Sequence, residues 1–183
     1  MRQLELVFNA GLREPDQEPY RTMNVRAPGI VPPIDGRQSQ TALKVARGTA
    51  RLLHALGFCV VSELPLASGR RADLVAVGRD GEIWIVEIKS SVADFRTDNK
   101  WMDYRMHCDR LFFATTVEVP CEIFPSDTGL IVADAFGAQI VCEAPEHRLH
   151  AATRKSTTLA IARAAALRLQ SLIDPAGPYA GEI

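Results

Sequence analysis

Two apolar runs separated by the short segment Arg79-Asp80-Gly81 place the strongest constraint on what this chain can fold into. Joined as a β-hairpin, the two runs carry apolar side chains on both faces. A sheet that is apolar on both faces needs helices on both sides, so the pattern predicts an α/β fold. One face carries Val75, Val77, Ile83 and Ile85, and the other carries Leu74, Ala76, Trp84, Val86 and Ile88.

Three ionisable residues interrupt these apolar runs. Asp73 lies in the first run, and Glu87 and Lys89 lie in the second. Burying a carboxylate is costly unless a cation or a metal compensates it, so this set indicates a metal site. The alternative is an ion-pair cluster that merely stabilises the sheet. Such clusters are poor stabilisers, which favours the metal site.

The length of the hairpin loop decides whether the three residues meet. A three-residue loop, Arg79-Asp80-Gly81, uses Gly81 in the left-handed region and places Asp73 directly opposite Glu87. Because side chains alternate along a strand, Lys89 then shares their face. A two-residue loop would put Asp73 and Glu87 on opposite faces. We therefore expect the three-residue loop.

Asp73 and Glu87 supply oxygen ligands only, which favours Mg²⁺ or Mn²⁺ over zinc. A bound ion would polarise a phosphodiester and acidify a water molecule. Lys89 would position that water or offset developing negative charge. The residue types and the register therefore predict phosphodiester hydrolysis, with Asp73, Glu87 and Lys89 as catalytic residues.

The arrangement of Asp73 followed by Glu87-x-Lys89 resembles the PD-(D/E)XK nuclease superfamily, although Ala72 precedes Asp73 where the strict motif has proline. More specifically, five blocks in order resemble the MmcB-type DNA repair proteins, over about Gln38 to Leu172. These blocks are Arg-Arg-Ala-Asp-Leu, Ile-Val-Glu-Ile-Lys-Ser-Ser, Lys100-Trp101-x-x-Tyr104, Cys108-Asp109 and Phe112-Phe113-Ala114.

This resemblance implies a restriction-endonuclease-like mixed β-sheet flanked by helices on both faces, a nuclease-like site and a role in DNA repair. It implies Asp73, Glu87 and the backbone carbonyl of Ile88 as metal ligands. Two functions remain open. One is a metal-dependent nuclease acting on DNA in repair. The other is a non-cleaving repair accessory module that kept the fold and binds DNA or a protein partner.

Several further residues have two interpretations each. Glu63 is either a further metal ligand, because superfamily members often recruit another acid, or a surface acid at a strand end. Arg70 and Arg71 either bind a phosphate or form ion pairs with local acids. Ser90 either contacts the substrate or forms a turn.

Lys100 and Tyr104 are expected to share one face of a helix after the motif strand, where they would hold a phosphate and stack a base. Lys100 is interpreted as functional, with an ion pair to Asp103 or another acid as the alternative. Trp101 is interpreted as core packing, and Tyr104 is left open. Asp94 and Asp98 are expected to serve turns and helix caps.

Charge is unevenly distributed along the chain, whose net charge is −1. Residues 37–110 contain 12 Lys or Arg and 9 Asp or Glu, whereas residues 111–147 contain 6 acids and no Lys or Arg. A basic surface suits a phosphate backbone, although solvated charged faces are an equal alternative. The four cysteines lack Cys-x-x-Cys spacing and are expected to be free thiols, mostly in strands.

Residues 1–36 contain five prolines and are expected to form a flexible arm, with Met1 or Met23 as the start. After this arm we expect a single nuclease domain over 37–174 and a tail over 175–183. No apolar run suits a membrane span or a secretory signal, so a cytoplasmic protein is expected. The oligomeric state is left open. Helices are predicted over 38–56, 98–107 and 151–173, and strands over 58–64, 110–119, 129–134 and 139–143.

Overall fold

The computed structural model describes residues 39–98 and 100–177. These residues form a six-stranded mixed sheet with helices on both faces. The expected arm over 1–36 lies outside the described residues, as does most of the expected tail. The strands are β1 (Cys59–Pro65), β2 (Arg71–Val77), β3 (Ile83–Ile88), β4 (Arg110–Thr115), β5 (Gly129–Ala133) and β6 (Ala138–Cys142). The helices are α1 (Gln40–Ala55), α2 (Val92–Thr97) and α3 (Ala151–Ile173), with 3₁₀ helices at Trp101–His107 and Cys121–Ile123.

The strands follow one another across the sheet in chain order. β1, β2 and β3 are antiparallel, β3, β4 and β5 are parallel, and β6 returns antiparallel to β5. The parallel step from β3 to β4 requires a crossover connection, which α2 and the 3₁₀ helix at Trp101–His107 provide. The carboxyl ends of β3, β4 and β5 consequently lie at one edge of the sheet.

Helices cover both faces, as the doubly apolar hairpin predicts. On one face, Val45 and Leu53 of α1 pack with Trp84 and Phe112 of the sheet. On the other face, Ile161 of α3 and the 3₁₀ helix at Trp101–His107 pack over the alternate strand residues. The central strand β3 is buried along its whole length, which makes any ionised side chain at its end dependent on local partners.

The β2–β3 hairpin has the expected three-residue loop. Val77 pairs with Ile83, and the Gly78 N–H donates to the Glu82 carbonyl at 2.8 Å. Gly81 has φ +83°, in the left-handed region that a three-residue loop requires. The prediction of loop length and register is therefore confirmed.

Three elements differ from the sequence-based expectations. The helix predicted over 98–107 is a 3₁₀ helix from Trp101 to His107, because buried residues spaced by three follow its period of 3.0. The strand predicted to reach Val119 ends at Thr115. The residues after it form a turn, in which the Val119 N–H donates to the Thr116 carbonyl. α2 was not predicted, and Ser91 caps its first turn.

The predicted free thiols are confirmed, although only Cys59 and Cys142 lie in strands. Among the residues that the structure describes, no helix is both long and apolar enough to cross a membrane.

Candidate functional site

The candidate site lies where the β2–β3 ladder stops. The last regular pair is Leu74 with Val86, and the same register places Asp73 opposite Glu87. The Asp73 N–H donates to Glu87 Oε1 at 3.2 Å, and the Ile88 N–H donates to Asp73 Oδ2 at 2.7 Å. Side-chain hydrogen bonds thus replace the ladder, and they hold both carboxylates on one face where the strands separate.

Lys89 follows the last residue of β3 and is paired with an acid from a different element. Its Nζ lies 2.6 Å from Asp98 Oδ2, and both side chains are largely buried. The Lys89 N–H donates to the Ala114 carbonyl, and the Thr115 hydroxyl donates to the Lys89 carbonyl. The backbone of Lys89 is therefore anchored to β4, and its ammonium is anchored to the end of α2.

Among the described residues, the two facing carboxylates form no ion pair with a Lys, Arg or His side chain. Burial raises the pKa of Asp73 to about 6, helped by the charges of Glu63 and Asp94 and opposed by the Ile88 hydrogen bond and Lys89. Burial and the Asp73 charge also raise the pKa of Glu87 well above its usual range. An excess of buried negative charge is the electrostatic character of a cation site.

The Lys89–Asp98 pair keeps both of its members charged. Burial alone would lower the pKa of Lys89, but the hydrogen bond and charge of Asp98 outweigh burial, so the pKa is raised. Burial alone would raise the pKa of Asp98, but the hydrogen bond and charge of Lys89 outweigh burial, so the pKa of Asp98 is lowered. Lys89 is consequently a fixed cation at neutral pH.

Glu63 is buried in β1, so one of its two interpretations, a surface acid at a strand end, is wrong. It has φ +50°, an uncommon left-handed conformation for a non-glycine residue, and its Oε2 lies 2.6 Å from Arg71 Nε. From α3, Arg168 donates to the carbonyls of Ser62 and Glu63. Glu63 is thus held close enough for its charge to raise the pKa of Asp73.

Tyr104 lies inside the site rather than on a binding surface. Its ring is buried, and its hydroxyl donates to the Arg71 carbonyl at 3.2 Å. Burial and the charges of Glu87, Asp73 and Asp98 raise its pKa, so it stays protonated. The expected stacking on a base needs an exposed ring, and the buried ring does not provide one. Lys100 and Tyr104 are predicted to share one face of an α-helix. In a 3₁₀ helix, with three residues per turn, residues four apart do not lie on the same face.

The other nucleic-acid candidates flank the site. Arg70 forms an ion pair with Asp103 at 2.9 Å, and Arg71 is paired with Glu63, so the ion-pair interpretation holds for both. Ser90 donates its N–H to Asp94 at 3.0 Å. Lys100 is exposed, and within residues 39–98 and 100–177 it forms no ion pair. Trp101 packs edge-on against Phe113, as its packing interpretation predicts.

The donors present suit a hard divalent cation. Within the described residues, no three His, Cys, Asp or Glu side chains are grouped as a ready metal cage. Mg²⁺ requires no such cage, because it keeps several waters and binds one or two carboxylates together with substrate phosphates. Asp73 and Glu87 fit that requirement, whereas a zinc site needs three or four protein ligands.

Asp98 is the partner of Lys89 that the sequence did not reveal. It was expected to serve a turn or cap, and it does accept the Lys100 N–H at 2.9 Å. Its other oxygen binds Lys89, nine residues earlier in the chain. No spacing rule links the two residues, because the contact depends on how α2 returns to the sheet.

Comparison with known proteins gives two matches. The family model described as DNA repair protein MmcB-like matches residues 30–176. A solved structure, the SPO1766 protein of unknown function from Silicibacter pomeroyi, is 47% identical, with a TM-score of 0.73. The alignment covers 76% of this chain and 96% of that chain. No curated protein matches the chain.

Proposed function

Because this chain belongs to the MmcB-like DNA repair family, which indicates a role in DNA repair, we propose that it is a metal-dependent nuclease hydrolysing DNA phosphodiester bonds. The six-stranded mixed sheet with helices on both faces is compatible with the restriction-endonuclease-like fold of PD-(D/E)XK enzymes. Asp73, Glu87 and Lys89 stand at the positions of that motif and lie together at the end of the β2–β3 ladder.

One observation carries the proposal: Asp73 and Glu87 face each other, and within residues 39–98 and 100–177 neither forms an ion pair, because Lys89 is committed to Asp98. A cluster that served only stability would neutralise its buried carboxylates internally. Here the compensation is incomplete, and a divalent cation would complete it. The raised pKa of each carboxyl reflects the same deficit.

Each residue then has a distinct role. Asp73 and Glu87 would hold Mg²⁺ or Mn²⁺, with the Ile88 carbonyl as a further ligand. The ion, when bound, supplies Lewis-acid polarisation of the phosphodiester and a more acidic water. Lys89, kept protonated by Asp98, donates hydrogen bonds to the attacking water or to a phosphate oxygen and offsets charge in the transition state.

The proposal is tested by metal titration and DNA cleavage with matched variants. Asp73→Asn should abolish calorimetric binding of Mn²⁺ and all cleavage of branched, gapped or single-stranded DNA. Lys89→Met should keep Mn²⁺ binding but slow cleavage by about 100-fold or more, as loss of one transition-state donor does. Glu143→Gln removes one negative charge, as Asp73→Asn does, but at an exposed position, and it should behave as wild type.

Two results would contradict the site as assigned, and a third would contradict the nuclease. Wild-type protein that binds no Mn²⁺ at millimolar concentration has no metal site of this kind. A Lys89→Met variant that cuts at the wild-type rate would show that Lys89 has no catalytic role. If wild-type protein binds metal and DNA but cuts no substrate, the accessory module that binds DNA or a repair-protein partner becomes the better assignment.

A further inference from the structure

Phe136 is a large aromatic side chain that the fold presents to solvent. It lies at the tip of the β5–β6 hairpin and is 82% exposed. The tip is held by Asp134, whose Oδ1 accepts the N–H groups of Phe136 at 2.7 Å and Gly137 at 2.9 Å. The hairpin is therefore a defined turn that displays the ring.

Helix α1 braces the same hairpin from the side. Arg51 donates to the carbonyls of Ala135 and Phe136 at 3.3 and 3.0 Å. Gly48 permits the close approach, since a Cβ at that position would lie 2.2 Å from the Asp134 carbonyl oxygen. Because the support is rigid, the ring can stack on a planar ligand without the entropic cost of ordering the loop.

The brace also brings positive charge to the hairpin. α1 contains no acidic residue, and its cations Lys44, Arg47 and Arg51 recur at helical spacing on one exposed side. Lys44 and Arg47 form no ion pair with any residue in the part of the chain that the structure covers. These two cations are thus available to an anionic partner.

An open groove leads from this surface to Ser90 and Ser91, the segment that directly follows Lys89. It runs between α1 and the carboxyl ends of the parallel strands, and its lining includes Lys44, Ser90, Thr116 and Phe136. Ser90 directly follows Lys89, so one end of the groove reaches the end of β3. Glu118 lines the groove from the loop after β4, and its negative charge repels phosphates. The phosphates would therefore lie on the α1 side of the groove.

We propose that this groove binds a single strand of DNA, with phosphates on Lys44 in its lining and on Arg47 beside it on the exposed side of α1, and an unpaired base stacked on Phe136. The proposal rests on the proposed function for the identity of the nucleic acid. A single strand fits better than a duplex because a ring at a hairpin tip stacks on the face of a base, and duplex stacking covers those faces. A phosphate backbone complements the unpaired cations of α1.

Binding is measured without metal, so that cleavage plays no part. Fluorescence anisotropy with a labelled oligothymidylate in EDTA compares wild type with Phe136→Ala, and with the double variant Lys44→Ala/Arg47→Ala. Phe136→Ala should weaken binding on the order of tenfold and leave the salt dependence unchanged. The double variant should reduce the slope of log K against log salt by roughly 1.4, the value for two single-strand phosphate contacts.

The control removes the same charge from the opposite face of the sheet. Lys155→Ala/Arg163→Ala alters two exposed cations of α3 and should leave affinity near the wild-type value. Phe136→Trp should retain affinity, and the introduced indole should be quenched by the single strand. Circular dichroism melting should show all of these surface variants folded.

Three results would overturn the proposal. They are unchanged affinity in both groove variants, an equal loss in the α3 control, and an unquenched indole in Phe136→Trp. The first result would leave the hairpin tip as a docking point for a protein partner. Failure of the nuclease is distinguishable, because a protein that cuts nothing can still show the predicted binding in EDTA.

Discussion

At the scale of single residues, the character of the site comes from two carboxyl groups whose pKa values are raised, chiefly by burial. The pKa of Asp73 is raised from 3.8 to about 6, with burial as the main cause. Folded protein therefore binds a proton at Asp73 more tightly than unfolded protein. The stability from this proton is fully present below pH 3.8 and is lost as the pH rises through about 6.

We accordingly predict that Asp73→Asn stabilises the metal-free protein above pH 6. Asparagine keeps an oxygen for the Ile88 N–H but carries no charge. The gain at pH 8 should be on the order of 2 kcal/mol, and it should disappear toward pH 4, where wild-type Asp73 is itself protonated in the fold. Urea denaturation in EDTA across this pH range measures the difference.

Saturating Mn²⁺ should make wild type more stable than Asp73→Asn, because the ion stabilises only the protein that binds it. Glu143→Gln serves as the control, with no pH-dependent gain expected at its exposed position. A metal-free Asp73→Asn variant that is less stable than wild type at pH 8 would show that the carboxylate is compensated within the protein.

At the scale of elements, the β2–β3 hairpin is the part that brings the site residues together. Its three-residue loop fixes which residues of the two strands lie opposite each other. The left-handed Gly81 closes the loop, and no atom lies within 4 Å of where its Cβ would be. A substitution there consequently tests backbone conformation alone, without steric clashes.

Gly81→Val should destabilise the protein by about 1–2 kcal/mol, since β-branched residues adopt positive φ poorly. Deletion of Gly81 should have a different effect. It shortens the loop to two residues and shifts the pairing by one, which turns Asp73 away from Glu87 and Lys89. Denaturation and Mn²⁺ calorimetry separate the two effects.

Gly81→Asn is the matched control, because asparagine tolerates the left-handed region and should lose less stability than valine. A folded deletion variant that still binds Mn²⁺ at wild-type affinity would show that the facing register is not what creates the site.

At the scale of the whole molecule, α3 connects the sheet with the site. Near its start, Arg154 makes two hydrogen bonds of 2.7 Å to the carboxylate of Asp109, which also accepts the N–H groups of Ile83 and Leu149. Near its other end, Arg168 holds the backbone beside Glu63. One helix therefore braces both the loop before β4 and the strained end of β1.

Asp109→Asn should destabilise the protein by about 3 kcal/mol at neutral pH, because it leaves Arg154 without its buried partner. The pKa of Asp109 is lowered, since hydrogen bonds and the charge of Arg154 outweigh burial. This contribution is present above the unfolded-state pKa and is lost as the pH falls through the folded-state value. The deficit of the variant should therefore narrow in acid, as thermal melts across the pH range would show.

Asp127→Asn is the comparison, because it breaks an ion pair with Arg105 in which the aspartate is 63% exposed. Exposed pairs contribute little, so its effect should stay below about 1 kcal/mol. Equal losses in the two variants would contradict the distinction between a buried and an exposed pair.

The sequence alone determined the doubly covered sheet and the register that sets Asp73 opposite Glu87. Both follow from local geometry, namely the period of two along a strand and the loop that Gly81 permits. Only the tertiary structure decided that Lys89 pairs with Asp98, that Glu63 is buried, and that the ring of Tyr104 is inside. These contacts join elements distant along the chain, and their geometry depends on how helices pack on the sheet, which no local period or spacing encodes.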